Sequence, residues 1–206
     1  MIYYKPEQLT AKDYIVVNPS ISRPVSLEEV KINSRIDDDS CDAQLLSLID
    51  VATEFGEKIT GRDFINKTYK SFLNCFPSNS CRSIEIRRTK LQSIVSIKYY
   101  LNGVLTTFDA SKYYITENTD FSRIHLKEEE FWATADRRLQ SVIITFVAGY
   151  GEDACDVPAT IKRAILSHVE LLKSESGDCD NANGVNKQAI ELYSPFIIIT
   201  KRFAIA

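Results

Sequence analysis

The sequence predicts an α+β fold in which a mainly helical subunit carries an inserted antiparallel β module. Apolar residues recur at helical spacing up to about residue 61 and again after about residue 158. Between them, residues 68–148 hold short segments rich in β-branched and aromatic side chains, which favour strands. The expected organisation is an N-terminal arm over 1–23, a main domain over 24–196 with the β insertion at about 68–148, and an apolar C-terminal tail over 197–206.

Two helices are predicted before the β module, at about 26–36 and 41–61. The first begins with Ser26 and Glu29, the S-x-x-E capping box. The second is placed to end at Gly61, and its apolar residues recur at steps of four and three. Asp37 to Asp39, together with Asp42, could be a magnesium site, but carboxylates that cap the helix and complement its dipole are the favoured interpretation.

The β module is predicted from its residue types and turns. Asn102-Gly103 predicts a type I′ hairpin, because both positions of that turn need a positive φ. The predicted strands are Tyr69 to Leu73, Ile84 to Arg87, Val95 to Leu101, Tyr113 to Thr116, Ile124 to Leu126 and Val142 to Ala148.

Two further helices are predicted after the β module, at about 158–173 and 187–193, and Pro158 suits the first turn of its helix. The preceding Gly149-Tyr150-Gly151 could be a nucleotide loop. It lacks the third glycine of G-x-G-x-x-G and the Lys-Ser/Thr of a P-loop, and acidic residues follow it. A plain junction between the β module and a helix is the better interpretation.

The composition of the chain argues against several classes of protein. The net charge of −3 and the pI near 5.5 do not favour a protein that grips nucleic acid over a broad basic surface. Five cysteines without a C-x-x-C pair suggest reduced thiols, with neither a disulfide framework nor a zinc site. No apolar run approaches the ~20 residues of a membrane span, and the start of the chain lacks the apolar stretch of a signal peptide, so a cytosolic location is expected.

No catalytic set can be assembled from the sequence. Neither His125 nor His168 lies in a G-x-S-x-G or H-E-x-x-H context. His168 falls on an apolar helix face, where a hydrogen-bonded core or interface imidazole is expected. A small hydrolase that uses Cys75 or His168 is the weakest alternative, because no base for the thiol is identified. No catalytic residue, cofactor or metal ligand is therefore predicted.

Two other groups of residues are candidates for contacts. The basic cluster Arg87, Arg88 and Lys90 could touch nucleic-acid phosphates or an acidic surface of another subunit. The strand-like run that begins with Phe196, Ile197, Ile198 and Ile199 should either pack on the chain's own sheet or pair with another protein. Asn102 and Gly103, at the hairpin tip, complete the candidate interface.

The order of these elements resembles that of the head-tail connector (adaptor, head-completion) proteins of long-tailed bacteriophages and prophages. The resemblance spans roughly Pro24 to Phe196. No single motif is decisive, and the resemblance rests on the order in which several segments follow one another. These segments are Pro24 to Lys31, Thr60-Gly61-Arg62, Leu91 to Ile97, Tyr99 to Gly103, Tyr113, Trp132, Ala148 to Gly151, Val157 to Leu166 and Leu192 to Phe196.

The resemblance implies a non-enzymatic structural protein of the virion, present in the host cytoplasm during assembly. It implies a ring of about twelve subunits that lies below the portal protein. The subunits can be monomeric before the ring assembles. Such a ring extends the DNA channel without binding DNA specifically and offers a platform to a head-completion or tail-terminator protein. No membrane partner is implied, and the source could be a phage, a prophage or a gene-transfer element. The alternative is a phage nucleic-acid-handling protein that binds phosphates through Arg87 to Lys90.

Overall fold

The chain passes three times between two units in the computed structural model, which describes residues 14–77, 82–86, 88, 90–117, 122–174 and 182–197. The β unit comprises residues 1–19 and 67–149, and the helical unit comprises residues 20–66 and 150–206. Each unit has a hydrophobic core of its own. The three chain crossings fall at Pro19/Ser20, Asn66/Lys67 and Gly149/Tyr150.

The β unit contains two antiparallel sheets over its described residues. The strands are β1 Tyr14–Asn18, β2 Lys67–Leu73, β3 Ser83–Ile86, β4 Leu91–Leu101, β5 Val104–Thr107, β6 Tyr113–Glu117, β7 Ser122–Leu126 and β8 Val142–Ala148. One sheet has the order β1-β2-β8-β4-β5, and the other has the order β3-β7-β6. Every pairing between neighbours is antiparallel.

Strand β8 shows how the sequence sets the packing of this unit. Its side chains alternate, and Val142, Ile144, Phe146 and Ala148 are fully buried while the residues between them are partly exposed. β8 lies between β2 and β4, in the middle of the larger sheet. One core joins it to apolar side chains of the smaller sheet, including Ile84 and Ile124. The two sheets therefore share one hydrophobic interior.

Part of the predicted N-terminal arm is an edge strand. β1 pairs with β2, and Tyr14 packs edge-on against Tyr69 and Phe146 at ring-centroid distances of 6.3 and 5.8 Å. Three consecutive apolar residues of β1, Ile15 to Val17, remain exposed. Because they do not alternate with polar residues, the sequence gives no strand signal there.

The helical unit has four α-helices over its described residues: α1 Leu27–Ser34, α2 Asp42–Thr60, α3 Ala159–Ser174 and α4 Ala182–Tyr193. The capping box of α1 is confirmed, since Ser26 Oγ accepts from Glu29 N at 3.0 Å and Glu29 Oε2 accepts from Ser26 N at 2.7 Å. The predicted end of α2 is confirmed by Gly61, which has a left-handed φ of 74°. None of the helices that the structure describes is both long and apolar enough to cross a membrane.

The helices pack around one buried face of α2. That face carries Leu45, Ile49, Ala52 and Gly56, the spacing recognised in the sequence. A Cβ atom at Gly56 would lie 2.7 Å from Cε1 of Tyr193, at the end of α4. Gly56 therefore permits a close approach of this ring to α2 that alanine would obstruct.

The α+β fold and the predicted hairpin are confirmed, with three corrections. The fold is not mainly helical, because the strands hold nearly as many residues as the α-helices. α4 begins at Ala182, ahead of the predicted position near 187. Phe196, the first residue of the predicted strand-like run, is not in a strand: Ser194–Phe196 is a 3₁₀ turn, which Pro195 favours through its fixed φ.

Candidate interface surfaces

The hairpin between β4 and β5 presents a fixed tip. Asn102 and Gly103 have φ angles of 53° and 79°, as a type I′ turn requires. The Asp136 carboxylate accepts hydrogen bonds from both of their backbone N–H groups, at 2.9 and 2.8 Å. Asp136 N in turn donates to the Tyr100 carbonyl at 2.9 Å. A distant loop residue thus holds the turn, and no local sequence signal could have shown it.

Apolar side chains flank this tip. Leu101, Val104 and Leu105 are exposed, and β5 is an outer strand of its sheet. Exposed apolar residues on an edge strand favour pairing with another chain. The sequence-predicted contact residues Asn102 and Gly103 therefore lie at the end of an apolar sheet edge, and their role in an interface stays a prediction.

Arg88 lies against aromatic rings. Its guanidinium carbon is 5.0 Å from the ring centroid of Tyr69 and 5.8 Å from that of Tyr14. This cation–π packing gives Arg88 a structural role within the β unit. Lys90 is exposed and its carbonyl accepts from Gly149 N at 2.9 Å, while Arg87 lies outside the described residues. The phosphate-contact prediction for Arg87, Arg88 and Lys90 stays untested.

The start of the apolar tail is anchored in the helical unit. Arg62 Nε donates to the Phe196 carbonyl at 2.7 Å, and Ile197 is buried. Phe196 is partly buried against the core that contains Tyr193. Ile198 and Ile199 lie outside the described residues. The first two residues of the predicted interface run thus serve the chain's own packing.

The aspartate run before α2 pairs with a lysine. Lys31 Nζ lies 2.5 Å from Asp39 Oδ1 and 2.8 Å from Asp42 Oδ1, and these carboxylates raise the pKa of Lys31. Asp38 accepts from the backbone N–H and hydroxyl of Ser40. The residue that caps α2 is Cys41, without a side-chain hydrogen bond, so the capping expectation for Asp37 to Asp39 was wrong. Over the ranges that the structure describes, no group of three or more potential ligands could hold a metal.

His168 lies in the core, as predicted. It is 2% exposed, and its Nδ1 lies 3.3 Å from the Tyr193 hydroxyl. That hydroxyl donates to the Ala52 carbonyl at 3.1 Å, so its oxygen accepts from Nδ1–H of a neutral imidazole. His168 therefore links α3, α4 and α2, and it is not placed to act on a substrate. Cys75 is an exposed free thiol.

We expect the stability of the protein to fall in acid because of His168. Burial lowers the pKa of its imidazole below the usual 6.5, so the unfolded chain binds a proton that the folded chain resists. The free energy of unfolding should be unaffected well above pH 6.5 and should then fall by up to about 1.4 kcal/mol per pH unit as the pH drops. Urea denaturation from pH 8 to pH 5 measures this loss, with His168→Gln as the variant that removes it. An equally steep fall in His168→Gln would assign the effect to other groups.

The comparisons with known proteins agree with the predicted resemblance. Residues 24–113 match the family model described as phage gp6-like head-tail connector protein. That range includes α1, α2 and strands β2 to β5, and so draws on both units. The resemblance to head-tail connector proteins is therefore confirmed over this part of the chain. No curated protein matches the sequence.

Solved structures share the fold over most of the chain. A chain of the virion of a native gene transfer agent (GTA) particle aligns with a TM-score of 0.71 at 16% identity, over 90% of this chain and 95% of that one. A chain from the neck of the empty GTA particle, computed with C6 symmetry, gives 0.71 at 16% over 91% and 96%. One from the neck of the native GTA particle, computed with C12 symmetry, gives 0.64 at 16% over 90% and 96%. At this identity the likeness establishes a common fold.

Proposed function

We propose that this protein is a structural subunit of a head-tail connector ring, located in the virion of a phage or of a related particle. The observation that carries the proposal is the match of residues 24–113 to the head-tail connector family. The shared fold extends the argument, since it covers nearly all of a chain from the neck of a gene transfer agent particle. The ring would lie below the portal, continue the DNA channel and receive a head-completion or tail-terminator protein.

The surfaces of the β unit suit a protein built for assembly. The hairpin tip is fixed by Asp136 and flanked by exposed apolar side chains, and a fixed tip loses little conformational freedom when a partner binds. Repeated copies of such a contact, made between different faces of neighbouring subunits, close into a ring. The symmetry used for the neck structures, C6 and C12, is consistent with a ring in those particles.

A structural role without catalysis is part of the proposal. The core histidine His168 contacts Tyr193. The described cysteines, Cys41, Cys75 and Cys155, are exposed thiols, and Cys155 Sγ donates to the Asp156 carboxylate at 3.9 Å. Arg88 stacks on two aromatic rings, which gives the alternative nucleic-acid function no added support. DNA would pass through the channel without specific contacts.

The proposal is tested by mixing the purified chain with the portal protein of the same genome. We expect the mass of the portal assembly, measured by mass photometry, to increase by one whole ring of copies, visible as a rotationally symmetric layer in electron micrographs. The chain alone can stay monomeric without contradicting this. Failure to bind portal at saturating concentration would overturn the proposal, and strongly salt-dependent binding of duplex DNA would favour the nucleic-acid alternative.

A pair of valine variants tests the hairpin. Val104→Asp places a charge on the exposed edge beside the tip, whereas Val95→Asp places it on β4 at a similarly exposed position. We expect Val104→Asp to weaken assembly and Val95→Asp to leave it unchanged, because only Val104 lies on the outermost strand β5, next to the hairpin tip. Equal behaviour of the two variants would remove the hairpin from the interface.

A further inference from the structure

The helical unit carries an open apolar groove along α1. The groove has a volume of about 760 Å³ and is lined on its apolar side by Leu27, Ile32 and Ile36. Ile32 is 72% exposed although it lies within the helix. A groove of this volume has room for several side chains. Its apolar residues would gain stability from a partner that covers them.

The charges around this groove are unbalanced. Its polar lining consists of Glu28, Lys31, Arg35 and Asp37. Lys31 is already paired with Asp39 and Asp42, so its charge is neutralised by neighbours outside the lining. With these two partners included, the four carboxylates of Glu28, Asp37, Asp39 and Asp42 outnumber the two basic side chains, Lys31 and Arg35. An occupant that combines apolar and basic residues would therefore fit both the apolar lining and this excess of carboxylates.

We infer that this groove binds residues 198–206 of a neighbouring copy of the chain. That segment, Ile-Ile-Thr-Lys-Arg-Phe-Ala-Ile-Ala, contains four large apolar residues and, between them, Lys201 and Arg202. Its composition matches the groove in both respects. Its apolar side chains suit Leu27, Ile32 and Ile36, and its two positive charges suit the excess of carboxylates. The inference rests on the proposed connector function, because it assigns one contact by which copies join in the ring.

The reach of the segment favours a neighbouring copy over the same chain. The segment follows Ile197, and the carbonyl of the preceding residue, Phe196, accepts from Arg62, two residues beyond the C-terminal end of α2. The groove ends near Asp37, and Lys31 of its lining contacts Asp42 at the N-terminal end of α2. A helix of 19 residues is about 28 Å long. Nine extended residues span at most about 32 Å, so a segment that reached its own groove would have almost no residue left to fill it.

A labelled peptide with the sequence of residues 198–206 tests the contact by fluorescence anisotropy on the full chain. We expect saturable binding that weakens with added salt. Ile32→Lys should weaken it about tenfold or more, because the variant removes an apolar contact and sets a positive charge near Lys201 and Arg202. Ile21→Lys is the matched control, since Ile21 is fully exposed in the same unit and does not line the groove. No binding, or equal binding by both variants, would overturn the inference.

A photoreactive benzoylphenylalanine at position 203 then distinguishes the two geometries in the full chain assembled on portal. We expect a crosslinked dimer whose joined peptides are residue 203 and the segment 27–37. A crosslink within one chain, or to another surface, would overturn the neighbouring-copy assignment. Portal binding is measured in parallel: assembly without peptide binding leaves the connector function standing alone, whereas peptide binding without portal assembly preserves the groove contact and counts against the connector function.

Discussion

Replacing Trp132 with alanine is expected to lower the free energy of unfolding of the β unit by about 3–5 kcal/mol. Trp132 is 7% exposed, and its ring stacks on that of Phe76 at 5.0 Å with an interplanar angle of 10°. It also contacts Phe108 at a ring-centroid distance of 5.2 Å. The variant would leave a cavity between these rings, because the irregular segment that carries Trp132 is fixed at both ends by strands β7 and β8.

Far-ultraviolet circular dichroism during urea denaturation measures this change, since the variant also removes the chain's only tryptophan and with it the usual fluorescence signal. Phe131→Ala is the matched control: Phe131 is the preceding residue, is aromatic and is 62% exposed, so its loss should cost less than about 0.5 kcal/mol. The indole N–H has no acceptor among the described residues, so Trp132→Phe should cost much less than Trp132→Ala. Comparable losses in Phe131→Ala and Trp132→Ala would contradict the packing account.

Local signals allowed much of this fold to be predicted from the sequence. The capping box at Ser26 and Glu29, the left-handed Gly61 and the Asn102-Gly103 turn each depend on residues close together in the chain. The alternation in β8 and the helical spacing in α2 are local too, so their bounds were predicted closely. The family resemblance followed from the order of such segments.

The features that escaped prediction depend on contacts between distant residues. β1 is a strand because its backbone pairs with that of β2, far along the chain, as in the pair Tyr14 and Ser71, and not because of its own pattern. Asp136 fixes a turn that lies 34 and 33 residues before it. Arg88 was grouped with a basic cluster, whereas the fold places its guanidinium on Tyr69. In each case the partner is known only when the sheet is assembled.

Replacing Tyr193 with alanine is the second change expected to cost about 3–5 kcal/mol, now in the helical unit. Tyr193 is fully buried at the end of α4, and its ring stacks on that of Phe64 at 6.4 Å and packs against Phe55 at 6.3 Å. Gly56 leaves room for the Tyr193 ring beside α2, so alanine at position 193 would leave an empty space at this contact. Glu191→Ala, at an exposed position of the same helix, should change the free energy of unfolding by less than about 0.5 kcal/mol.

Tyr193→Phe separates the contribution of the Tyr193 ring to stability from that of its hydroxyl group. The variant keeps the packing but removes the donor to the Ala52 carbonyl and the acceptor for His168, and we expect a loss of about 1–2 kcal/mol. Urea denaturation at pH 8, where His168 is neutral, compares the three variants without a contribution from imidazole protonation. If Tyr193→Phe cost as much as Tyr193→Ala, the hydrogen bonds and not the ring would hold α4 to α2 and α3. Because we expect the smaller loss for Tyr193→Phe, we assign most of the stability of this contact to the aromatic ring of Tyr193, for which Gly56 leaves room.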